Sequence, residues 1–265
     1  RTTEGDRVTP FNIRTTFLSD EEADRLYERR PELKEGVCPT CRGTKTYRWK
    51  GEQHDCDCGM QVQLAKHYSA SGIGMNYQTL GWSDYAQNPP EELATYLRRH
   101  EDFISRGVGL LFTGTAGTGK TLLATLILKE LINLGYDCFS TTFARTIESF
   151  TATWGDAEEK SWFARKFMYS DVLLLDDLGK EWRNSSRLPQ STFDMILRSR
   201  VQDGRPTLVT TNCTLQELET GYGAAVLSLL SECSIVLSFS GEDFRPQASR
   251  RTIDEISLGE TRPLV

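Results

Sequence analysis

Short apolar runs recur along the last two thirds of the chain, and stretches with helical spacing separate them. The runs are centred near residues 110, 138, 173, 209 and 236. Short apolar runs bounded by polar residues are typical of buried strands, whereas apolar residues three or four positions apart indicate helices. Strands that alternate with helices favour a parallel sheet covered by helices. The pattern therefore predicts an α/β fold with a five-stranded parallel sheet.

The first third of the chain has a different pattern. The stretch LSDEEADRLYERRPEL predicts a short amphipathic helix that is capped by Ser19 or Asp20 and ends near Pro31. Its apolar face is formed by Leu18, Ala23, Leu26 and Tyr27. Such a helix either docks a partner or covers the segment that follows it, and the sequence leaves both interpretations open.

Composition narrows the class of protein. The chain has 38% hydrophobic and 26% charged residues, enough for one sizeable core and a smaller module. It has no apolar run of membrane-spanning length and no basic start followed by an apolar run, so we expect a cytoplasmic protein without membrane contact. The formal net charge of -6 provides no overall attraction for nucleic acid, and any basic surface has to be local.

Four of the seven cysteines lie close together. Cys38 and Cys41 form a C-x2-C pair, fourteen residues follow, and Cys56 and Cys58 form a C-x-C pair. Four thiolates at this spacing match a structural Zn2+ site that is closed to substrate. His54 is placed beside the site as a surface neighbour, since it lies only two residues before Cys56. The remaining cysteines stand in apolar contexts and are predicted to be buried core thiols: Cys138, Cys213 and Cys233.

The residues between the cysteine pairs predict a hairpin that turns near Lys50 and Gly51. By the period of two, Lys45, Tyr47 and Trp49 share one face of it. Cations between aromatic rings suit single-stranded DNA, whose bases stack on the rings. The rings equally suit a cover over the zinc site, because a module of this size needs aromatic packing. Both interpretations stay open.

The stretch GLLFTGTAGTGKTLLATLILKEL contains a nucleotide-binding motif. An apolar run over residues 108–112 leads into Gly114-x4-Gly119-Lys120-Thr121 and then into a helical pattern, the order that a P-loop requires. Backbone N–H groups of such a loop surround the phosphates, the lysine reaches the outer phosphates and the threonine hydroxyl binds Mg2+. The predicted nucleotide-binding residues are Gly114, Thr115, Ala116, Gly117, Thr118, Gly119, Lys120, Thr121 and Leu122.

Two further strands end in polar residues that fit nucleotide hydrolysis. The run over residues 172–175 ends in Asp176 and Asp177, and Thr207–Thr211 ends in Asn212. Acids at a strand end beside a P-loop hold Mg2+ and polarise the attacking water, so we assign Asp176 to Mg2+ and Asp177 to the water. Asn212 is expected to orient that water or to sense the outer phosphate. In the plainer alternative, the acids cap the strand and Asn212 forms an Asx turn.

The order of GTAGTGKT, LLLDDLG, PTLVTTN and SGEDFR resembles the DnaC/DnaI/IstB branch of the AAA+ ATPases over roughly residues 75–246. CPTCRG and CDC ahead of them are similar to the zinc-bearing N-terminal part of DnaI-like and phage-type replicative helicase loaders. The resemblance implies ATP and Mg2+ as ligands, a sheet order of 5-1-4-3-2 with strands numbered along the chain, and no full lid domain. It also implies that Asp176 and Asp177 form the Walker B pair, that Asn212 is the first sensor, and that Arg245 contacts a phosphate or a neighbouring subunit.

One position departs from the pattern of that branch. An arginine that reaches a neighbouring subunit's ATP usually stands in a Ser-Arg-Leu stretch before the last strand, and here Leu229 occupies its place. The candidates to replace it are Arg200, Arg250, Arg251 and an arginine from a partner. Losing such a finger costs about 10^3 to 10^5 in rate. We therefore expect turnover that is weak or depends on a partner.

The resemblance implies an ATPase that forms a homo-oligomer and loads a hexameric replicative DNA helicase onto single-stranded DNA. The expected organisation is a helicase-docking helix and four-cysteine zinc module over residues 1–60, a linker over 61–90, an ATPase domain over 91–246 and a tail over 247–265. Residues 69–74 are expected to be flexible, and Tyr77 and Trp82 to pack near the adenine. Two rival functions stay open: an IstB-like transposition helper ATPase, which the cysteines disfavour, and an ATP-dependent helicase adaptor or inhibitor that barely turns over.

Overall fold

The computed structural model describes residues 18, 20–179 and 187–265. The helices are α1 (Asp20–Arg29), α2 (Pro31–Lys34), α3 (Cys58–Ala70), α4 (Met75–Gln78), α5 (Glu91–Arg98), α6 (His100–Ser105), α7 (Lys120–Asn133), α8 (Phe143–Ala152), α9 (Ala157–Phe163), α10 (Leu188–Gln202), α11 (Leu215–Tyr222), α12 (Ala224–Glu232) and α13 (Arg245–Ser257). The strands are β1 (Thr46–Trp49), β2 (Glu52–Asp55), β3 (Gly109–Gly114), β4 (Cys138–Thr142), β5 (Val172–Leu178), β6 (Thr207–Thr211) and β7 (Ser234–Phe239). A 3-10 turn spans Trp82–Asp84 and a π-helical turn spans Ala164–Met168. The predicted cap residue Ser19 lies outside the described residues, and no helix within them is both long and apolar enough to cross a membrane.

Strands β3 to β7 form one parallel sheet in the order β4-β5-β6-β3-β7. From the opposite edge this is the predicted order 5-1-4-3-2, so the predicted α/β fold class is confirmed. Strands β6 and β7 have the predicted bounds, whereas β5 continues to Leu178 and includes both acids. Because the carboxyl ends of parallel strands lie at one edge of the sheet, β3, β5 and β6 bring their last residues to the same place.

Each face of the sheet carries its own apolar cluster. Side chains alternate along a strand, so Leu110 and Phe112 belong to one cluster and Leu111 to the other. The first cluster includes residues of α3, α5 and α7, and the second includes residues of α8, α10 and α12. Burial on both faces explains why these strands are continuous apolar runs in the sequence.

The hairpin between the cysteine pairs has the predicted form. Strands β1 and β2 are antiparallel, with Tyr47 opposite His54, and they turn at Lys50 and Gly51. The two turn residues have φ values of +52° and +80°. A two-residue turn with positive φ at both positions matches the right-handed twist of its strands.

Helix α1 is fixed against two parts of the chain. Its buried Leu26 belongs to the apolar cluster that also contains Leu33 of α2 and Leu64 of α3. Its charged side faces α9 and the π-helical turn, and the ion pairs are Glu21 with Arg165 at 2.6 Å, Glu22 with Lys166 at 2.6 Å and Arg25 with Glu159 at 2.9 Å. This placement favours a covering role for α1 over that of a free docking helix.

The segment that was expected to be flexible is packed onto the sheet. Helix α3 crosses residue 60 and continues to Ala70, and Ile73 is buried. Gly72 has a φ of +74°, and a β-carbon there would lie 2.0 Å from the carbonyl oxygen of Ser140 in β4. The predicted flexibility of residues 69–74 is therefore wrong, because the glycine serves a close backbone approach. The domain boundaries stay predictions.

Residues 260–265, here called the end clamp, contact the hairpin and α3. The N–H of Thr261 donates to the carbonyl of Arg48 at 2.8 Å, and Glu260 Oε1 accepts from the N–H of Gly51 at 2.7 Å. The side-chain amide of Gln61 exchanges two hydrogen bonds with the backbone of Leu264, at 2.8 and 3.1 Å. The last residues of the sequence thereby join the hairpin to α3.

Candidate nucleotide site and cysteine cluster

The loop between β3 and α7 has the shape that phosphate binding requires. Strand β3 ends at Gly114 and α7 begins at Lys120. Gly119, which caps the helix, has a φ of +87°, a left-handed conformation that favours glycine. The first N–H groups of a helix have no intrahelical partner, and with the helix dipole they attract anions. Residues 114–122 thus form the strand–loop–helix turn that their spacing predicts, whereas their nucleotide contacts stay predictions.

Lys120 is buried inside this loop. Its Nζ donates to the carbonyl oxygens of Gly114 at 2.9 Å and Thr115 at 2.6 Å. Burial lowers the pKa of Lys120, the positive charge of Arg245 lowers it further, and Asp177 and Asp176 oppose the shift. If a phosphate bound here, the ammonium of Lys120 would donate to charged phosphate oxygens instead of neutral carbonyl oxygens, and such hydrogen bonds are stronger.

A hydrogen bond joins Asp176 to the P-loop. Its Oδ1 accepts from the hydroxyl of Thr121 at 2.8 Å and from the hydroxyl of Thr210 at 2.6 Å. In P-loop proteins Mg2+ is held by the loop hydroxyl and an acid at a strand end. The oxygen atoms of Thr121 and Asp176 therefore fit the predicted Mg2+ site.

Asp177 is held in an uncommon backbone conformation, with a φ of +62°. Its N–H donates to the hydroxyl of Thr210 at 2.9 Å, and Asn212 Nδ2 donates to its Oδ1 at 3.0 Å. The structure therefore brings Asp176, Asp177 and Asn212 together at neighbouring strand ends. Thr210 joins both acids and was missed in the sequence, where it is one of three threonines in β6 and nothing distinguishes it from the other two.

The residues after β7 lie against the other side of the P-loop. Phe244 donates its N–H to the carbonyl of Gly117 at 3.0 Å. The side chain of Asp243 packs on the same glycine, because a β-carbon there would be 2.1 Å from Asp243 Oδ1. Arg245 is exposed at the start of α13, close enough to Lys120 to lower the pKa of that lysine. The predicted Arg245 thus lies near the loop, and the contacts of Asp243 and Phe244 went unnoticed within the GEDFR motif.

Trp82 lies away from the P-loop. Its Nε1 donates to Glu130 at 2.7 Å, and Glu130 stands ten residues after Lys120 on α7, about 15 Å along the helix. The packing of Trp82 near the adenine stays a prediction. Burial raises the pKa of the Tyr77 hydroxyl, and the charge of Asp176 raises it further.

Arg200 is a structural cation and cannot serve as a finger. It is fully buried, and its guanidinium donates to backbone carbonyls before β5 and before β6, including those of Ser170 at 3.0 Å and Pro206 at 2.7 Å. Burial lowers the pKa of Arg200 to about 9. Its candidacy as a finger is wrong, because a side chain with this many internal acceptors cannot reach another subunit.

The other finger candidates lie on α13. Arg251 pairs with Asp84 and Glu255 of its own chain, whereas Arg250 is exposed. Leu229 lies on α12 and packs partly buried against the apolar cluster on the second face of the sheet. Of the three proposed arginines, Arg250 is therefore the one that is neither buried nor held in the ion pairs between α13 and Asp84.

The four predicted zinc ligands meet in one cluster. Their Sγ atoms all lie within 4.8 Å of one another, with Cys38 to Cys56 at 3.6 Å and Cys41 to Cys58 at 3.5 Å. A tetrahedral site with Zn–S bonds near 2.3 Å places its sulfur atoms about 3.8 Å apart, so this donor set fits Zn2+. Burial opposes ionisation of Cys41, yet hydrogen bonds from the backbone of Gly43 and Lys45 and from the neighbouring thiols lower its pKa to about 6, whereas burial and the neighbouring thiols raise the pKa of Cys56. A thiolate is the form that binds zinc.

The aromatic face of the hairpin is covered by the chain itself. Tyr47 stacks on His54 with ring centroids 5.4 Å apart, and the guanidinium of Arg262 lies 5.0 Å from the ring centroid of Trp49. These contacts favour the packing interpretation of the rings over base stacking. The cluster found among the described residues does not include His54, whose Nε2 lies 3.1 Å from the carbonyl oxygen of Trp49.

The three remaining cysteines are not alike. Cys138 in β4 is buried, as predicted, whereas Cys213 and Cys233 are half-buried. These two stand just after β6 and at the end of α12, where the apolar runs stop and the chain comes to the surface. The prediction of buried core thiols is therefore wrong for this pair.

Comparison with known proteins identifies the family. The model for IstB-like ATP binding protein matches residues 69–252, which is more than half of the chain and contains the P-loop. The chain belongs to the IstB-like ATP-binding family. This result confirms the resemblance to the DnaC/DnaI/IstB branch of AAA+ ATP-binding proteins.

Relatives of this IstB-like chain include two proteins of Escherichia coli (strain K12). The uncharacterized protein YdaV is 24% identical over 192 residues, which are 70% of this chain and 76% of YdaV. The replicative helicase loader DnaC is 24% identical over 172 residues, which are 63% of this chain and 69% of DnaC. The crystal structure of the DnaC helicase loader matches with a TM-score of 0.57 at 22% identity and covers 63% of this chain and 100% of that chain. The structural likeness shows a shared fold.

Proposed function

We propose that this chain is an ATPase that loads a hexameric replicative DNA helicase onto single-stranded DNA. One observation supports the proposed ATPase activity: residues of the P-loop and of the strand ends form a hydrogen-bonded group. Thr121 bonds Asp176, Thr210 bonds both acids, and Asn212 bonds Asp177, with Lys120 in the adjoining loop. The groups that nucleotide hydrolysis needs thus form one connected unit.

Each member of this group has a proposed role. Lys120 binds the outer phosphates, and Thr121 and Asp176 hold Mg2+, which neutralises phosphate charge when it is bound. Asp177, oriented by Asn212, polarises the attacking water. Arg245 approaches the phosphates from the start of α13. The positions of these side chains are consistent with such roles, and catalysis by them consists mainly of positioning and charge stabilisation.

The loader part rests on the family and on the cysteine module. DnaC is among the relatives of the chain, and the helices on either side of the cysteine hairpin, α1, α2 and α3, pack in one apolar cluster with the ATPase core. The outward face of the hairpin carries Arg48, Gln53 and Asp55, which are exposed. We assign helicase contact to this face, because the opposite face is taken by Arg262 and His54.

The test is complex formation with the replicative helicase of the same organism. Size exclusion with light scattering reports the masses with and without ATP, and it also reports the proposed homo-oligomer. We expect a joint complex that Cys38→Ser or a zinc chelator abolishes, whereas the matched variant Cys213→Ser keeps it. A complex that never forms would overturn the loader function and favour a transposition helper.

A second candidate function is a helicase adaptor that binds ATP and barely hydrolyses it. It is favoured by Leu229 at the usual finger position and by the burial of Arg200. ATP turnover measured with and without helicase and single-stranded DNA separates the two functions. A joint complex without stimulated turnover indicates the adaptor, and helicase loading onto protein-coated DNA excludes it.

A further inference from the structure

One tyrosine hydroxyl beside the P-loop lacks a partner. Tyr85 is 8% exposed, and within the described part of the chain its buried Oη has no hydrogen-bond partner. Two other buried tyrosines differ, since Tyr68 donates to the carbonyl of Val265 and Tyr96 to the carbonyl of Val108, each at 2.9 Å. A buried hydroxyl without a partner costs free energy, so the exception at Tyr85 requires an explanation.

The ring of Tyr85 lies against the last glycine of the P-loop. A β-carbon at Gly119 would be 2.9 Å from Tyr85 Cε2 and 4.0 Å from Cζ, the atom that carries the hydroxyl. Gly119 caps α7, which has 14 residues, and Lys120 follows it directly. The unpaired hydroxyl therefore lies at the helix N-terminus where the loop is shaped for an anion.

The groups around Tyr85 explain which partner it lacks. Burial raises the pKa of Tyr85, so its hydroxyl stays protonated near neutral pH and is a donor. The nearby loop also offers donors, namely the ammonium of Lys120 and the hydroxyl of Thr118, whose hydrogen bonds already go to loop carbonyls. No acceptor among the described residues pairs with the Tyr85 hydroxyl, and a nucleoside polyphosphate supplies acceptor oxygens.

We propose that Tyr85 contacts the nucleotide, and that its hydroxyl donates a hydrogen bond to an oxygen of the ligand bound at the P-loop. The inference rests on the proposed nucleotide site. Among the described residues of the free protein the hydroxyl is buried and has no partner, and nucleotide binding supplies one. Tyr85 stands outside the P-loop motif, in the stretch DYAQNPP, where the sequence alone indicates a turn rather than a binding residue.

The test uses the full chain and the variant Tyr85→Phe, which keeps the ring and removes the hydroxyl. Isothermal titration with ADP should show a dissociation constant about threefold to tenfold larger, the range that one hydrogen bond contributes. Without nucleotide, the melting temperature should be unchanged or higher, because the variant removes an unpaired buried polar group. The increase in melting temperature caused by ADP should be smaller than in the wild type.

The matched control is Tyr96→Phe. Its hydroxyl is buried and paired, so its removal should lower the melting temperature and leave ADP affinity unchanged. The proposal is overturned if Tyr85→Phe binds ADP as the wild type does. It is also overturned if Tyr85→Phe lowers the melting temperature of the free protein as Tyr96→Phe does, because the hydroxyl would then have a structural partner.

Failure of the nucleotide site itself gives a different result. If wild-type protein and Lys120→Ala both fail to bind ADP, the proposed function fails and takes the inference about Tyr85 with it. If the wild type binds ADP, Lys120→Ala loses binding and Tyr85→Phe does not, the nucleotide site stands and only the role of Tyr85 is wrong.

Discussion

The parallel sheet and the cysteine hairpin are stabilised in different ways. Leu110, Phe112 and Leu174 of the sheet have no exposed surface and pack within long apolar clusters. The hairpin has no buried residue in its two strands, and its contacts are thiol groups, backbone hydrogen bonds to the end clamp and the guanidinium of Arg262 on Trp49. Hydrophobic burial therefore stabilises the sheet, while directional contacts hold the hairpin.

This difference has a consequence for how the two regions respond to change. The free energy of apolar burial is roughly proportional to the area removed from water, so a single contact supplies only a share of it. A metal site with four ligands, or a charged side chain with few partners, loses much of its contribution when one member is removed. Single substitutions should therefore destabilise the hairpin more than the sheet. The exception is a buried polar residue beside the sheet, whose loss should destabilise the sheet itself.

Removing one predicted zinc ligand should have the largest effect. In Cys38→Ser we expect residues 38–57 to lose amide protection while β3, β5 and β6 keep theirs, because bound Zn2+ contributes about 10 kcal/mol or more to the folding of small zinc domains. Hydrogen exchange followed by mass spectrometry measures both regions. The control Cys213→Ser, outside the cluster, should leave the hairpin protected. An unprotected sheet in Cys38→Ser would contradict the separation.

Arg200→Met tests this exception, because Arg200 is a buried polar residue beside the sheet. The substitution removes the guanidinium donor of the carbonyls of Ser170 and Pro206, of which Pro206 keeps only the longer bond from the N–H of Leu173, so we expect the free energy of unfolding to fall by about 2–4 kcal/mol. Urea unfolding measures it. The control Arg198→Met, on the same helix but exposed and paired only with Asp194, should change it little. Equal results for both variants would show that the buried network contributes nothing.

Helix α7 has two buried lysines, Lys120 and Lys129, and replacing each in turn compares their effects on ADP affinity and on stability. In Lys120→Ala we expect ADP affinity to fall about tenfold to 100-fold, since a charged hydrogen bond to phosphate is lost. The matched variant is Lys129→Met, which removes donors to the carbonyls of Tyr77, Gln78 and Leu80. It should lower stability and keep ADP affinity, as measured by titration and urea unfolding. The reverse pattern would place the anion site elsewhere.

Asp84→Asn should have the smallest effect, and its size should depend on pH. Burial by itself would raise the pKa of Asp84. The N–H of Gly81 and the guanidinium groups of Arg262 and Arg251 outweigh burial and lower that pKa. A carboxyl whose pKa is lower in the folded than in the unfolded state contributes fully above about pH 4, and the contribution is lost as pH falls through the folded value. We expect a loss of about 1–2 kcal/mol at pH 7.

Urea unfolding of the wild type and Asp84→Asn at pH 7, 5 and 3 measures this dependence. The difference between the two proteins should be the same at pH 7 and 5 and smaller at pH 3. A difference that stays constant down to pH 3 would mean that the charge of Asp84 does not stabilise its contacts with Arg262 and Arg251.

Local spacing predicted the parts of both sites whose residues are close in sequence. The P-loop lies in one uninterrupted stretch, so its shape follows from its glycines and from the strand and helix beside it. The cysteine pairs lie within 21 residues, and the hairpin between them turns where the sequence has Lys50 and Gly51. Asp176, Asp177 and Asn212 were also predicted, because strand ends in a parallel sheet meet at one edge.

Contacts between distant residues were not predictable in the same way. Thr210 bonds Asp176 across 34 positions of sequence, and Trp82 bonds Glu130 across 48. Arginine is usually found on the surface. Arg200 is nevertheless fully buried, because carbonyl groups from two other segments surround its guanidinium. Such partners depend on which segments pack together, and periodicity carries no information about them.

The sequence by itself determined the α/β class, the sheet order implied by the family resemblance, the P-loop and the four clustered cysteines. Each of these follows from neighbouring residues or from the alternation of strands and helices. Only the tertiary structure decided that residues 69–74 pack on β4, that Arg262 covers Trp49 and that the hydroxyl of Tyr85 lies unpaired beside Gly119. The physical reason is that burial and hydrogen-bond pairing are properties of segments brought together in space, and a single sequence does not specify those pairs.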